Sequence, residues 1–412
     1  MGGRGDEGRG ETRIVRTARA YPSGRTRYMT GPAETIDLIV SAARRLAREE
    51  LIPAEPTVEA QDEVPEPILA RLRELGLFGM TIPREYGGLG LSMQDEARVV
   101  FEIGYASPVF RSRFGSSNGV GTLSILNDGT EDQRRRYLSP IARGELIAAF
   151  CLSEADAGSD PAAIVTRAQR SGEHYVISGT KRFVTNAPAA GLFIVYARTA
   201  PPETGARGIS AFLVDRDTPG ISVTVPYRMM GFRGAHTADV IFDECRVPAS
   251  ALLGPSEGVG FKTAMKSLDH ARLHMAALAS GLCERLIDEG VRYASRRRQF
   301  GQPIAQFQLI QGMLADCRAE SLAARAMVEK VAREKDAGVR ITAESACCKY
   351  FATEALGRIA DRVLQIHGGY GYIKEHAIER LYRDVRLLRL YEGTSQILQL
   401  VIAREMLREQ AA

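Results

Sequence analysis

The chain has 412 residues, of which 45 % are hydrophobic and 25 % are charged, and its formal net charge is +4 at pH 7. These proportions are typical of a globular protein and exclude a disordered chain, a collagen-like repeat and a small disulfide-stapled scaffold. Seven arginines against three acidic residues within residues 1–30 account for the whole excess of charge. The remaining sequence is neutral, which argues against nucleic-acid binding, and no apolar run is long enough to predict a membrane span.

Residues 1–31 form an Arg- and Gly-rich tail without apolar periodicity, so we expect a flexible segment. The tail lacks the apolar stretch of a secretory signal peptide. Six cysteines are spread along the rest of the chain with no C-x-x-C pair, a spacing that fits neither a zinc site nor a disulfide framework. We therefore predict buried thiols in a reducing cytoplasm and no metal site.

Residues 32–148 are predicted to form an N-terminal helical domain. Apolar residues recur in steps of three and four over 68–75, which is the period of a helix, and Gly76 predicts the end of that helix. Pro53, Pro56 and Pro65 predict a loop before it.

Residues 149–253 contain short runs of β-branched or aromatic residues, such as 193–196 and 221–225, which turn residues separate. This pattern predicts a middle domain that is an antiparallel β-barrel or sandwich. Helical periodicity returns in residues 254–412 and predicts a C-terminal helical domain. The expected fold class is therefore α+β with three segregated domains, and the missing βαβ alternation argues against a doubly wound nucleotide-binding fold.

Three short motifs lack the context that their usual chemistry requires. Residues 254–263 resemble a phosphate-binding P-loop, but an extra residue separates the last glycine from the lysine. Residues 115–119 match the G-x-S-x-G of hydrolases, yet no α/β sheet is predicted around Ser117. His270 and His274 are spaced for one helix face but lack a third metal ligand. We interpret the last two motifs as a turn and a packed or exposed histidine pair.

Three further segments leave two interpretations open. Residues 151–160 are either a polar loop or a backbone cradle for an anion. Residues 179–186 are either a strand that runs into a turn or an aromatic and hydroxyl pair that faces a ligand. Glu392 precedes a predicted helix and either favours its N-terminus or is held rigidly against a reacting centre.

Taken together and in this order, these segments resemble the acyl-CoA dehydrogenase family of flavoproteins, from about residue 32 to residue 407. The most specific matches are C-L-S-E-A-D-A-G-S-D (151–160), K-R-F-V-T-N (181–186), R-R-R-Q-F-G-Q-P-I (296–304), Q-I-H-G-G-Y-G-Y (365–372) and Y-E-G-T-S-Q-I (391–397). The resemblance implies a C-terminal four-helix-type bundle, a bound FAD, a homotetramer and an acyl-CoA substrate in fatty acid metabolism. It also implies an electron-transferring flavoprotein as electron acceptor.

The resemblance further implies which residues would contact FAD. In the middle domain they are Leu152, Ser153, Ser159, Phe183 and Thr185. A neighbouring subunit would add Arg297, Phe300, Gln308, Gln365 and Gly369, and the last positions are Thr394 and Gln396. An arginine can bind phosphate oxygens, and a glycine allows close backbone approach.

Glu392 matches the catalytic base of the family, and the positions near the substrate match Ser159, Asp269, Arg272 and Gly393. The implied reaction removes the α-proton of an acyl thioester while hydride leaves the β-carbon for flavin N5, which gives a trans-2-enoyl-CoA. The backbone N–H of the glutamate and a flavin hydroxyl would stabilise the thioester oxygen. Some members place the base immediately before the arginine, but that residue is alanine in this sequence.

The sequence departs from the family at the flavin. Phe183 replaces a tryptophan, Ser153 replaces a threonine, and Ala155 stands where a proline is usual. An aromatic face and a hydroxyl are retained, so we expect altered flavin packing and not a loss of binding.

Arg111 lies where the first helical domain of the family lines the acyl pocket. Glutaryl-CoA-type relatives place a carboxylate-binding arginine in a similar stretch, so Arg111 would select a dicarboxylic acyl chain. A solvated or structural arginine is the alternative interpretation.

Three alternative functions stay open at this point. A flavoenzyme of the same fold could act on an acyl group bound to an acyl-carrier protein. A catalytically silent flavin-fold protein could serve in binding or assembly, although it would not need Glu392. A serine hydrolase would require Ser117 for thioester turnover.

Overall fold

The computed structural model describes residues 32–410 as helices, then a β-sheet, then helices. This order confirms the predicted fold class. The tail that we expect to be flexible lies outside the described residues. None of the helices within 32–410 is both long and apolar enough to cross a membrane. All six cysteines are free thiols, and Cys347 alone is only half-buried.

The N-terminal helices follow one another with short connections. A π-helical turn, Leu46–Leu51, joins the first two, so Pro53 and Pro56 lie inside a helix and the predicted loop is wrong there. The π turn already interrupts the regular hydrogen-bond ladder, which lets the chain accept prolines that lack an N–H. The helices are α1 (Pro32–Arg45), α2 (Ile52–Gln61), α3 (Glu66–Glu74), α4 (Met93–Ile103), α5 (Pro108–Gly115), α6 (Thr122–Asp128) and α7 (Glu131–Ala142).

The middle region is a curled seven-stranded sheet with the order β1-β4-β2-β3-β7-β6, in which β5 pairs with β4. Most neighbours are antiparallel as predicted, but β1 runs parallel to β4, and β2 also pairs with β4 in parallel at one position. The period of a strand does not show the direction of a partner that is distant in sequence, so the sequence could not reveal this pair. The strands are β1 (Ala148–Cys151), β2 (Arg167–Ser171), β3 (His174–Thr185), β4 (Leu192–Arg198), β5 (Ile209–Asp215), β6 (Ile221–Val223) and β7 (Thr237–Pro248).

Strand β4 joins the sheet to the N-terminal helices because both of its faces are buried. Leu192, Ile194 and Tyr196 belong to a cluster shared with α6 and α7, whereas Phe193 and Val195 face the interior of the curled sheet. A continuous apolar strand is typical of this two-sided burial. The sheet is therefore fixed rigidly against the helices that precede it.

The C-terminal helices surround α8, whose residues from His270 to Cys283 are all buried. One apolar cluster includes side chains from both the N-terminal and the C-terminal helices, so the two helical regions share a core. A short hairpin, β8 (Arg298–Gln299) and β9 (Gln302–Pro303), follows α8. The helices are α8 (Gly260–Arg296), α9 (Gln308–Asp336), α10 (Thr342–His367), α11 (Ala377–Val385) and α12 (Ser395–Gln410).

Helices α4 and α8 cross at two glycines. A Cβ at Gly281 would lie 2.2 Å from the carbonyl oxygen of Phe101, and one at Gly104 would lie 2.6 Å from the carbonyl oxygen of Leu278. Both distances are far below van der Waals contact. Only glycine at these positions allows the two backbones to touch, and this crossing sets the depth of α8 in the core.

Candidate active site

The turn that precedes α12 holds Glu392 in a strained conformation. Glu392 has φ +56° and Gly393 has φ +100°. A left-handed backbone costs energy for a residue other than glycine and persists only where its surroundings enforce it. The hydroxyl of Thr394 accepts the N–H of Ile397 at 3.2 Å and caps the helix. The turn therefore holds one carboxylate in a fixed place.

The carboxylate of Glu392 is mostly enclosed, and one of its oxygens is free. The side chain is 13 % exposed, Oε1 lies 3.7 Å from Nη1 of Arg111, and Oε2 has no hydrogen-bond partner within residues 32–410. Burial raises the pKa of Glu392, while Arg111, Lys349 and Arg272 act in the opposite direction. A carboxylate made more basic by desolvation, with an unpaired oxygen, is suited to take a proton.

Arg111 lies on α5 and is buried beside this carboxylate. Its side chain is 7 % exposed, and its Nε has no hydrogen-bond partner. Gly115, one turn further on, leaves the space for the guanidinium, because a Cβ there would lie 2.6 Å from the Cζ atom of Arg111. The structure therefore places a buried cation with unused donors next to Glu392.

The structure also brings three other predicted site residues to the turn. Arg272 on α8 donates from Nη1 to Asp269 at 3.0 Å and from Nε to the carbonyl oxygen of Glu392 at 3.4 Å. Asp269 in turn accepts a hydrogen bond from the hydroxyl of Thr342 at 2.7 Å. Gly393 is adjacent, since a Cβ there would lie 3.7 Å from Nη2 of Arg272. Helices α8 and α10 thus fix the arginine against the turn.

Sequence analysis missed Lys349, which is fully buried on α10 and donates from Nζ to the carbonyl oxygen of Gly393 at 2.7 Å. The available signal is a single lysine in the otherwise largely apolar run 346–352 of a predicted helix. A buried lysine is rare unless it is paired, so this position marks a charge that the fold retains.

The two helical histidines meet an acid that sequence analysis also missed. Glu96 on α4 accepts from Nε2 of His270 at 3.0 Å and contacts Nδ1 of His274. The three could share one cation, but Lys335 contacts the other nitrogen of His270. A lysine that donates there leaves the proton of the neutral ring on Nε2, where a metal would need a lone pair. Burial lowers the pKa of His274 to about 4, and the cluster is a hydrogen-bonded core network.

Ser117 does not have the surroundings of a nucleophile. It lies in a short 3₁₀ turn, Ser116–Asn118, between α5 and α6. Its side chain is fully buried, and its hydroxyl makes no hydrogen bond. A serine nucleophile needs an adjacent base and an accessible hydroxyl, so the structure gives no support to a hydrolase.

The FAD positions predicted in the middle region lie on the loop after β1 and at the end of β3. The ring of Phe183 is 63 % exposed on a backbone with φ +55°, and Thr185 is exposed on the same strand. Ser153 is half-buried, and its carbonyl oxygen accepts the N–H of Arg182 at 2.8 Å. Ser159 is exposed.

A buried ion pair between Lys181 and Glu154 fixes the loop that carries Leu152 against strand β3. Nζ of Lys181, on β3, donates to the carbonyl oxygen of Leu152 at 3.2 Å and to the carboxylate of Glu154 at 2.6 Å. Glu154 also accepts the N–H groups of Val165 and Thr166. The loop is therefore rigid without any bound ligand.

The second set of predicted FAD positions lies in the C-terminal helices. Arg297 and Gly369 line a cleft of about 500 Å³, and the guanidinium of Arg297 lies 5.4 Å from the centre of the Tyr370 ring. The other predicted positions in the C-terminal region do not line this cleft, and their side chains are exposed or half-buried. They are Phe300, Gln308, Gln365, Thr394 and Gln396.

These residues fit a flat anionic cofactor such as FAD. The exposed ring of Phe183 offers an aromatic face, and Arg297 offers a guanidinium for phosphate oxygens. No atom lies within 4 Å of a Cβ built at Gly369, so a ligand can approach that backbone closely. A strained, exposed aromatic residue is otherwise costly, which agrees with a ligand-binding role.

Sequence profiles of acyl-CoA dehydrogenases match nearly all of the described chain. The N-terminal domain profile matches residues 33–145, the middle domain profile matches 149–245, and the C-terminal domain profile matches 258–407.

Individual proteins show the same similarity. The chain is 40 % identical over 375 residues to the 3-(aryl)acrylate reductase of Clostridium sporogenes, which covers 91 % of this chain and 99 % of the relative. It is 38 % identical over 383 residues to the caffeyl-CoA reductase-Etf complex subunit CarC of Acetobacterium woodii, which covers 92 % and 99 %. The solved glutaryl-coenzyme A dehydrogenase glutaryl-CoA complex superimposes with a TM-score of 0.85 at 31 % identity and covers 93 % and 97 %.

Proposed function

The chain belongs to the acyl-CoA dehydrogenase family, and we therefore propose that it is an FAD-dependent oxidoreductase that converts an acyl-CoA thioester into the trans-2-enoyl-CoA, with Glu392 as the base. The observation that carries this proposal is the enclosed carboxylate with one unpaired oxygen in a strained turn. A silent scaffold has no use for such a group. A carrier-bound acyl group is the second candidate, because the chain is also similar to the prolyl acyl carrier protein oxidase AnaB, at 30 % identity and a TM-score of 0.85.

In this reaction Glu392 removes the proton from the α-carbon of the thioester. When bound, FAD would take up the hydride that leaves the β-carbon. The backbone N–H of Glu392 would donate to the thioester oxygen as negative charge develops there. Arg272, which is held by Asp269, keeps the carbonyl side of the turn in place. Gly393 and Ser159 would line the path of the thioester and its CoA group.

Two groups of residues would hold FAD. Leu152, Ser153, Ser159, Phe183 and Thr185 would face the flavin from the sheet. A second subunit would supply Arg297, Phe300, Gln308, Gln365 and Gly369 for the adenine, ribose and pyrophosphate, with Thr394 and Gln396 completing the site. The near-complete exposure of Phe300, 93 %, supports this division, since an aromatic ring so exposed needs a partner outside its own subunit.

Because this proposal divides the FAD-binding residues between two subunits, it requires an oligomer, and we propose a homotetramer. Large apolar side chains are exposed on the outer helices, including Leu309 and Leu322 on α9 and Leu400 and Leu407 on α12. Exposed apolar side chains of this size suit an interface between subunits. The free thiols agree with the proposed cytoplasmic location.

Arg111 would bind a carboxylate at the far end of the acyl chain. Arg111 is buried beside Glu392, and its Nε has no hydrogen-bond partner among the described residues. A buried donor without a partner is costly, and a carboxylate on the acyl group would supply that partner. We therefore propose a dicarboxylic acyl-CoA as the substrate class.

The direction of the reaction depends on the electron partner. We propose an electron-transferring flavoprotein as acceptor, and the similarity to a subunit of a reductase-Etf complex supports it. Since two similar proteins are reductases by name, the experiment measures both directions.

The test is an anaerobic visible spectrum of the purified protein before and after addition of acyl-CoAs with short, medium, branched and dicarboxylic chains. We expect a yellow protein that one class bleaches, and a reduced protein that the matching enoyl-CoA reoxidises. Glu392→Gln keeps the size of the side chain and removes the base, so we expect it to stay yellow, with reduction slowed at least about 1000-fold. If the protein holds FAD but no acyl-CoA bleaches it, the CoA substrate is wrong. If FAD does not bind at all, the whole proposal is wrong.

A further inference from the structure

Lys349 lies against the turn that carries Glu392. Its ammonium donates to the carbonyl oxygen of Gly393 at 2.7 Å from α10, and Arg272 donates to the carbonyl oxygen of Glu392 at 3.4 Å from α8. Two consecutive carbonyls of a strained turn are therefore each held by a buried cation from a different helix. Removal of either cation leaves a buried acceptor unpaired.

The positive charge of Lys349 and the negative charge of Glu392 each favour the ionised form of the other group. The pKa of Lys349 is lowered to about 8, chiefly by burial and also by Arg272, while Glu392 and Glu354 oppose the shift. Burial raises the pKa of Glu392, while Arg111, Lys349 and Arg272 favour its ionised form. The lysine thus contributes positive charge to the environment that keeps the carboxylate ionised.

Packing alone does not call for a lysine at this position. Lys349 has no exposed surface and lies near Ala346, Cys348 and Ala352 on α10, which are also buried. An apolar residue of similar length would fill the same space without the cost of burying a charge. The ammonium therefore needs a reason beyond packing, and the turn that it contacts supplies one.

We propose that Lys349 is a positioning residue for the proton-transfer step, which fixes the carbonyl of Gly393 and places a positive charge behind Glu392, so that the base stays in place and ionised. This inference rests on the proposed role of Glu392. A lysine with a purely structural role would not change the protonation of Glu392. Loss of the cation raises the pKa of the base, so the acid limb of the pH–rate profile moves to higher pH.

The experiment follows α-proton exchange by NMR in deuterated buffer. The probe is a 3-thia acyl-CoA with the chain length of the best substrate, because sulfur at the β-position offers no hydride and isolates proton transfer. Wild type, Lys349→Met and Lys349→Arg are compared as holoenzymes from pH 5.5 to 9. We expect Lys349→Met to exchange about 10- to 100-fold more slowly at pH 6 and its acid limb to move up by about one pH unit. Lys349→Arg retains the charge and should keep the limb in place.

Two further variants make the result decisive. Thr353→Val is the matched control, because Thr353 is fully buried one turn along α10 and its hydroxyl donates to the carbonyl of Lys349. We expect its acid limb to coincide with that of wild type. If Lys349→Met does not fold, judged by flavin content and thermal unfolding, Lys349→Gln tests the charge with a hydrogen-bond donor retained.

The outcomes separate the two proposals. If wild type exchanges the α-proton but the acid limb does not move in Lys349→Met and Lys349→Gln, the role of Lys349 is overturned. The role of Glu392 is then unaffected. No exchange by wild type overturns the role of Glu392, and the inference about Lys349 falls with it. An acid limb that moves in Lys349→Met and Lys349→Gln but stays in place in Lys349→Arg supports the inference.

Discussion

A guanidinium carries five N–H donors, and a protein interior normally supplies partners for buried donors. Arg111 is 6 % exposed, yet its Nε is unpaired and its acidic contact within the described chain is Glu392 at 3.7 Å. When Glu392 takes up a proton, that partner loses its charge. A carboxylate on the substrate would pair with Arg111 throughout the reaction, which is why a dicarboxylic acyl chain suits this site.

We predict that Arg111→Ala discriminates between substrates. The ratio of kcat/KM for a dicarboxylic acyl-CoA to that for a monocarboxylic acyl-CoA of equal length should fall by about 100-fold, the usual cost of truncating one partner of a buried charge pair. Steady-state kinetics with both substrates measures this ratio. A change that lowers kcat equally for both substrates, such as a changed pKa of Glu392, leaves this ratio of kcat/KM values unchanged.

Arg113→Ala is the control for this prediction. Arg113 is also 6 % exposed on α5, but the charged groups that act on it are Glu63, Glu66 and Arg73. The substrate ratio should stay unchanged in this variant. Equal loss with both substrates in Arg111→Ala would show a structural arginine and remove the dicarboxylic proposal.

The residues around Glu392 also show what sequence can reveal at this scale. Glu392, Arg272 and Gly393 stand in recognisable short motifs, so the sequence predicts them, and the structure brings them together. Lys349 and Glu96 each interrupt an apolar helix face, and nothing local indicates which distant group pairs with them. Their partners are chosen by the packing of helices that are far apart in the chain.

At the scale of elements, the position of α8 depends on its crossing with α4. The helix carries Arg272 and Asp269, so its depth in the core determines where Arg272 meets the turn. The backbones touch at Gly104 and Gly281, where a side chain has no room. This contact links the packing of the core to the geometry of the site.

We predict that Gly281→Ala destabilises the protein by about 3 kcal/mol, because overpacking of a tight core forces backbone shifts. Chemical unfolding of the holoprotein measures this loss. The shift of α8 should also lower kcat.

Gly312→Ala is the matched control. Gly312 lies inside α9, where a Cβ at this position would have no atom within 4 Å, so alanine should be neutral or stabilise by up to about 1 kcal/mol. A Gly281→Ala protein as stable as wild type would show that the two helices separate without cost.

The elements themselves are only partly predictable. Helix periodicity predicts α3 and its end before Gly76, because a left-handed glycine stops a helix whatever the tertiary context. The prolines at 53 and 56 predict a loop wrongly because a π turn, which no sequence pattern announces, accommodates them. The parallel pairing of β1 with β4 depends on tertiary topology, which strand periodicity does not encode.

At the scale of the whole molecule, three regions of the chain meet at Asp384 on α11. Its carboxylate accepts the N–H of Phe232, from the loop between β6 and β7, at 2.7 Å. It also accepts the hydroxyl of Ser107, immediately before α5, at 3.0 Å. The backbone N–H of Ser107 donates to Glu55, which pairs with Arg380. This network joins the sheet to both sets of helices.

Asp384 links the stability of this junction to pH. Burial raises its pKa to about 6 from an ordinary value of 3.8, despite the opposing hydrogen bonds from Phe232 and Ser107. Between these two pH values the folded protein binds more protons at this site than the unfolded chain does. The contribution of Asp384 to stability is therefore fully present below about pH 4 and is lost as the pH rises through about 6.

We predict that Asp384→Asn removes this loss. The amide can still accept from Phe232 and can donate to the hydroxyl of Ser107, so the junction keeps its hydrogen bonds while it loses a charge that is costly to bury. The difference in free energy of unfolding, variant minus wild type, should rise by about 2 kcal/mol between pH 4 and pH 7. Urea titrations at fixed protein and FAD concentrations measure it, with Asp316→Asn, whose side chain is 66 % exposed, as the variant expected to give a constant difference. A difference that stays flat or falls for Asp384→Asn would mean that the carboxylate is ionised at no cost, and that Arg380 and Arg383 compensate its charge across the junction.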